Sequence, residues 1–393
     1  MSLWWVRRDQ LDRDQLALVE ELPLSGNYLV LGPPGSGKTN ILVRRAQFAR
    51  GQGMANVLVL SFTRALTEFM RTACLDDQGR EIFPRSCVDT LESWQRSLYH
   101  AHGVPIPAEV PGTNAFIEHK RQLALGAREL FELGLRPAYD ALFIDEAQDL
   151  LQEEVQLLVQ WSPALFLVGD DRQRIYDGSP RDFGAVRDNV PGLEERTLQF
   201  HYRVAPEICD VADRILQAYG GYTLASTSHY VGPRPGRVTV ERRPQSKDEQ
   251  LARTARILQE QIRAYGDLIL QGDRLGVVVA RKEDRELAFA YFESYPHLQG
   301  RVKIIRARES GEDDYDPAFD ASAPICILTV KGIKGLEFRA IHWLFADELD
   351  YRHGPEDYYT VITRAKTSID ISYTSELPQL LAAAHSDAGV IPW

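Results

Sequence analysis

The sequence lacks most of what would place it outside the ordinary globular enzymes. It has four cysteines, Cys74, Cys87, Cys209 and Cys326, and no two of them form a CxxC pair. A disulfide framework and a cysteine zinc cage are therefore excluded as organising devices, and a reducing compartment is expected. No uninterrupted apolar run is long enough to span a bilayer, so no membrane partner is expected. The opening MSLWWVRRDQ lacks the apolar core and cleavage site of a secretory leader, which points to a cytoplasmic location. The nine histidines include no HExxH or other paired metal pattern, no GxSxG elbow occurs, and no nuclease-type carboxylate cluster stands out. Basic charge is in deficit, with 45 Lys and Arg against 56 Asp and Glu and a net charge of -11. Such a chain does not coat nucleic acid with its whole surface, but a single basic groove stays compatible because local potential decides binding.

What is present is an ordinary apolar content, 44% of 393 residues, enough for two or three cores. Short β-branched runs alternate with longer helical stretches. In the first half the runs are Tyr28–Leu31, Val57–Leu60, Ala141–Ile144 and Leu165–Val168. In the second they are Val238–Glu241, Gly276–Ala280, Val302–Ile305, Ile325–Val330, Ile341–Phe345 and Ile369–Ser372. Continuous apolar runs suit strands buried on both faces, and their alternation with helices predicts parallel sheets and an α/β class. Two such series predict two domains, 1–200 and 201–393, with the boundary near Leu198–Arg203. The acidic stretch Glu309–Asp320 reads as a solvated hairpin tip or crossover, with an acidic flap as the sharper alternative.

Residues 32–39 read GPPGSGKT, after the apolar run Tyr28–Leu31 and before the helical Asn40–Arg50. This strand–loop–helix setting is what a phosphate-binding loop needs. Gly32, Gly35 and Gly37, with Ser36 between the last two, let the loop turn its N–H groups toward phosphate at a positive helix N-terminus. Lys38 is expected at the β/γ phosphates of ATP and Thr39 on Mg²⁺. Residues 145–149 read DEAQD, directly after the strand Ala141–Ile144. An acidic pair by itself commonly caps a helix. Beside a phosphate loop it has a division of labour: Asp145 to hold Mg²⁺, Glu146 to orient and deprotonate the attacking water.

With these motifs placed, the chain resembles the UvrD/Rep-type superfamily 1 DNA helicases, and the remaining motifs follow in that family's order over nearly its whole length. Leu11–Gln15 (LDRDQ), Ser61–Leu66 (SFTRAL), Asp89–Trp94 (DTLESW) and Gly169–Tyr176 (GDDRQRIY) match in the first half. Gln199–Arg203 (QFHYR), Thr329–Phe338 (TVKGIKGLEF) and Tyr359–Lys366 (YTVITRAK) match in the second. The resemblance implies two tandem RecA-like domains with parallel sheets and an ATP site in the interdomain cleft. It implies that Gln15 reads adenine, Gln173 senses the γ-phosphate, Tyr202 lies near the base and Glu337 binds ribose. Arg203 and Arg364 would touch the γ-phosphate, Arg364 as the arginine finger. Bidentate guanidinium contacts there are charge-assisted, and their loss on hydrolysis would let the cleft open and drive a stroke along the track. Single strands are gripped by aromatic stacking and phosphate contacts. For that role the resemblance offers Phe62, Trp94 and Tyr176, with Thr63, Arg64, Thr90 and Lys331 near phosphates.

Several positions depart from the family pattern. No tryptophan follows Tyr176, Arg172 and Arg174 flank Gln173, His201 replaces an asparagine, and Lys331 replaces a common histidine. The accessory insertions are also short. Only Tyr99–Asp140 separates the DTLESW and DEAQD motifs, which leaves a reduced helical insertion at about 99–140, and the interval Ala205–Pro324 leaves essentially none. A minimal motor follows, with a partner such as a nuclease or complex subunit supplying missing parts. Its expected activity is ATP-dependent translocation on single-stranded DNA, with or without a duplex junction, 3′ to 5′, in repair, transfer or phage defence. An ATP-driven switch or assembly subunit, and an RNA-directed motor, stand as alternatives.

Overall fold

The computed structural model describes residues 5–75, 80–108, 115–132, 139–170, 183–217, 224–230, 232, 235–306, 319–320, 322–349 and 354–386. The chain divides into two compact units, one carried by Val6–Gly32 and Gly37–Leu198, the other by Trp5, Pro33–Ser36 and Gln199 onward.

The first unit is an all-parallel six-stranded sheet. Its strands are β1 (Asn27–Leu31), β2 (Val57–Ser61), β3 (Val88–Thr90), β4 (Ala141–Ile144), β5 (Leu165–Gly169) and β6 (Leu193–Thr197). They lie in the order β3-β2-β4-β5-β1-β6. Parallel neighbours need crossovers, and helices supply them: α1 (Arg13–Glu20), α2 (Lys38–Gly51), α3 (Arg64–Thr72), α4 (Leu91–His102), α5 (Ala115–Glu132), α6 (Gln152–Trp161) and α7 (Gly184–Asn189). Strands β2, β4 and β5 are buried at every position. That is why they read as unbroken apolar runs rather than alternating ones. The interval expected as a helical insertion holds the end of α4 and the whole of α5, which packs on α4 and α6 through Leu123, Ala124, Ala127 and Leu130.

The second unit is again a six-stranded parallel sheet, ordered β7-β12-β11-β8-β10-β9. Its strands are β7 (Arg237–Val240), β8 (Leu275–Val279), β9 (Val302–Ile304), β10 (Ile325–Thr329), β11 (Phe338–Trp343) and β12 (Ala365–Ile371). Its helices are α8 (Pro206–Ile215), α9 (Lys247–Ala264), α10 (Gly266–Leu270), α11 (Lys282–Ser294), α12 (Pro355–Thr363) and α13 (Gln379–Ser386). The α/β class and the parallel sheets expected of RecA-like domains are thus observed in each unit.

Two strands carry no apolar run, so hydrophobic pattern does not predict them. β6, LEERT, is a largely exposed edge strand, and β3 is three residues long. β11 and β12 begin earlier than their apolar runs, at Phe338 and Ala365. Their first turns contain Arg339 and Lys366, which break the apolar pattern yet are buried. Both donate to the carboxylate of Asp273, Lys366 at 2.7 Å and Arg339 at 2.5 Å. The acidic stretch falls outside the described residues over 309–318.

Candidate functional site

In an open parallel sheet, ligands are met at the carboxyl ends of the strands. Along that edge of the first sheet the chain runs into GPPGSGKT after β1, Phe62–Arg64 after β2, Thr90 at the end of β3, Asp145 after β4 and Asp170 after β5. The loop after β1 turns through Gly35 and Gly37 at φ 80° and 85°, conformations that side chains resist. Gly37 is the N-cap of α2, so the helix starts at Lys38 with its N–H groups at the loop. Lys38 Nζ donates to the Gly32 carbonyl at 2.7 Å, which curls the side chain back over the loop it belongs to.

Thr39 and Asp145 meet directly: the Thr39 hydroxyl donates to Asp145 Oδ2 at 2.7 Å. A hydroxyl and a buried carboxylate side by side make a hard oxygen donor set of the kind Mg²⁺ takes in phosphate-binding sites. Burial pushes the Asp145 carboxyl up to about 6, with the adjacent Glu146 adding to the rise. A cation there would reverse that cost by supplying the missing positive charge. The donor set therefore fits Mg²⁺. Among the described residues no cluster of three or more His, Cys, Asp or Glu forms any other metal site.

Glu146 stands in the left-handed backbone region at φ 51°, a strained conformation for a residue with a side chain. Gln148 holds it, with Nε2 donating to Glu146 Oε2 at 2.5 Å while its Oε1 accepts from the Asp170 N–H at 3.1 Å. A Cβ on Gly169 would fall 2.8 Å from that same Oε1 and 2.8 Å from the Phe183 ring, so a side chain at the end of β5 would displace one or both. Gln148 thus joins the ends of β4 and β5 and fixes the carboxylate. In the sequence its signal is its place as the Gln of DEAQD, and the pattern of carboxylates alone does not assign it a role. Gln15 is also brought to the loop. It closes a capping box with Asp12 at the start of α1, and a Cβ on Gly37 would lie 2.9 Å from its Nε2.

The residues proposed for nucleic acid divide. Phe62 is partly buried, Thr63 caps α3 by accepting from the Leu66 N–H at 3.3 Å, and Arg64 is exposed. Thr90 caps α4 by accepting from the Ser93 N–H at 3.1 Å. Trp94 requires correction: it is 2% exposed, donates from Nε1 to the Tyr139 hydroxyl at 3.0 Å and packs edge-on against Trp161. No face is left for a base, and its work is core packing. Gln173 and Tyr176 lie outside the described residues.

In the second unit the elements place Glu337 just before β11 and Arg364 just before β12, and the two strands start side by side, the Phe338 N–H donating to the Arg364 carbonyl at 2.9 Å. Arg203 forms an ion pair with Glu337. Burial, then the like charge of Arg364, lowers the Arg203 guanidinium to about 9, still well above neutrality. Arg203, Arg364, Arg339 and Lys366 with Asp273 and Glu337 make a cluster with a surplus of positive charge at this edge. Burial pushes the Lys366 ammonium down to about 7 against the pull of Asp273. Lys331 is exposed and follows β10, at the opposite edge of the sheet. His201 is core: backbone alternation turns it inward, and its Nε2 donates to the Leu224 carbonyl at 2.8 Å. The flanking Phe200 and Tyr202 are exposed, with His229 packed against both rings.

A family model described as an AAA domain matches residues 15–179, a span that begins at Gln15 and takes in both GPPGSGKT and DEAQD. No curated protein matches the sequence. Among solved structures, the chain is similar to the PRRSV helicase, with 15% identity, a TM-score of 0.42 and coverage of 92% of this chain and 57% of that one. It is similar to Arterivirus nonstructural protein 10, a helicase, with 14% identity, a TM-score of 0.42 and coverage of 94% and 63%. It is also similar to the C-terminal domain of a possible DNA helicase from Lactobacillus plantarum WCFS1, with 18% identity, a TM-score of 0.31 and coverage of 47% and 95%. The chain spans less than two thirds of the length of either viral helicase. Among the described residues no helix is long and apolar enough to cross a membrane.

Proposed function

We propose that this chain is a Mg²⁺-dependent ATPase of the superfamily 1 type, of the UvrD/Rep kind, that translocates 3′ to 5′ along single-stranded DNA. The observation that carries the ATPase half is the Thr39–Asp145 hydrogen bond at 2.7 Å, beside a phosphate loop and a Glu146 held by Gln148. In this reading the loop N–H groups and Lys38 bind the phosphates, and Gln15 takes the adenine. Mg²⁺, held by Thr39 and Asp145, neutralises phosphate charge when bound. Glu146 accepts the proton of the attacking water, and Gln148 keeps its carboxylate aimed. Arg203 and Arg364 supply positive charge to the γ-phosphate, Glu337 takes the ribose once Arg203 has turned to phosphate, and Tyr202 stacks near the base. Phe62, Thr63, Arg64, Thr90 and Lys331, with Gln173 and Tyr176, complete the nucleotide and strand contacts. A nuclease or another complex subunit, in repair, transfer or phage defence, is the proposed partner.

Phosphate release measured with no oligonucleotide, with single-stranded DNA and with RNA of one sequence tests this reading. Stimulation by DNA above RNA is expected. Displacement of a block from either end of a tailed strand reads the polarity. A second reading, an ATP-driven switch whose output is a partner's state, gains from the burial of Trp94, which removes one stacking candidate. Steady hydrolysis with neither stimulation nor oligonucleotide binding at low salt would favour it.

A further inference from the structure

Helix α5 lays an apolar stripe of Leu123, Ala124, Ala127 and Leu130 into the core of the first unit. One turn earlier on the same face stands Lys120, 9% exposed. A lysine on a core face is costly unless its head is satisfied. Its ammonium donates to the Asp149 carbonyl at 3.1 Å and pairs with Glu154 at 3.1 Å. It also lies 4.8 Å from the centroid of the Phe62 ring, within cation–π range. Asp149 closes the DEAQD segment, and Glu154 caps α6, accepting from the Leu151 N–H at 2.9 Å. Phe62 stands between β2 and α3, in the segment proposed to grip the strand. One side chain from the reduced insertion therefore joins the loop that follows β4 to the loop that follows β2.

We infer that Lys120 is a positioning residue that couples the nucleotide site to the strand-binding segment, through Asp149 and Glu154 on one side and the Phe62 ring on the other. The inference rests on the proposed nucleic-acid-stimulated ATPase. A displacement of the DEAQD segment during turnover moves the ammonium, and the ring moves with it. By reciprocity, a base seated against Phe62 biases the DEAQD segment. Lys120 touches neither nucleotide nor strand, so its removal acts on the communication between them.

The test uses the full chain and an oligothymidylate. Lys120→Met combined with Glu154→Gln removes both charges, so neither is left buried alone. Basal hydrolysis and its KM for ATP should stay within about twofold of the parent, while the ratio of stimulated to basal rate falls by about fivefold or more, the low end of ordinary coupling between sites. Lys120→Arg, which keeps the cation over the ring, should retain at least half the stimulation. Phe62→Leu should lower stimulation alone, and adding it to the charge-free pair should lower it no further. Full stimulation in the charge-free pair, or additive losses in the combination, would overturn the coupling. If the charge-free pair does not fold, the same judgement falls to Phe62→Leu against Lys120→Arg: equal, undiminished stimulation in both overturns it. Absence of stimulation in the parent chain would refute the proposed function itself, a result distinguishable because no substitution is involved.

Discussion

Thr39 and Asp145 are 106 positions apart in the chain, and the hydroxyl of one donates to the carboxylate of the other at 2.7 Å. The sheet order makes this possible: β4 and β1 flank β5, so the loops after them open on the same edge. The contact brings the two side chains proposed to hold Mg²⁺ within one hydrogen bond of each other. Asp145→Asn or Thr39→Ala should raise the Mg²⁺ concentration for half-maximal hydrolysis by about tenfold or more, since each removes an oxygen donor or its charge. A magnesium titration of phosphate release reads this directly, and an unshifted midpoint in both variants would remove the pair from the metal site.

Glu146→Gln should lower turnover by about 10²- to 10⁴-fold, the usual worth of a general base, and leave nucleotide binding near that of the parent. Gln148→Leu, which frees the carboxylate without removing it, should give a smaller loss in kcat at similar KM. Single-turnover hydrolysis with a fluorescent nucleotide binding assay separates the two. Persisting hydrolysis in Glu146→Gln would overturn the assignment of the base.

Gln15 lies against Gly37 with its Oε1 engaged by the Asp12 N–H at 3.1 Å. That bond holds the amide in one orientation, which suits reading a base edge. Gln15→Ala should narrow the preference for ATP over GTP by about tenfold, the worth of one well-placed hydrogen bond. Competition between the two nucleotides checks it, and an unchanged ratio would leave Gln15 as a helix cap alone.

Trp94 and its neighbours Tyr139 and Trp161 form an aromatic core under α4. Trp94→Ala should cost about 3–5 kcal/mol of stability, as large core truncations do. Trp94→Phe should cost less and leave oligonucleotide affinity per folded molecule unchanged. Chemical denaturation alongside anisotropy with a labelled strand decides; weakened strand binding without loss of stability would restore Trp94 to the interface.

His342 is fully buried in β11, and burial pushes it down from 6.5 to about 4, Arg253 adding to the fall and Asp370 opposing it. Its Nε2 donates to Gln261 Oε1 at 2.9 Å, and burial keeps the ring neutral. Below the unfolded value the unfolded chain binds the proton that the folded chain refuses. Stability from this group is therefore full above about pH 6.5 and declines as pH falls from there toward about 4. The stability difference between the parent and His342→Gln, measured by denaturant titration at about pH 7.5, above the window, and at about pH 5, inside it, should shrink at the lower pH. A difference that grows as pH falls would reverse the sign and the assignment.

The sequence by itself determined the class, most of the strands and the identity of the nucleotide motifs. These are local facts: an apolar run buried on both faces and a glycine loop before a helix carry their signature in consecutive residues. Only the tertiary structure decided what sits beside what. It turned Trp94 and His201 into core, showed β6 as a polar edge strand, and drew β11 and β12 back to include Arg339 and Lys366 around Asp273. It also revealed Gln148 and Lys120 as the side chains that tie strand-end loops together. Those roles depend on partners far away in the chain, and a parallel sheet brings such partners together through crossovers that no periodicity in a short window records.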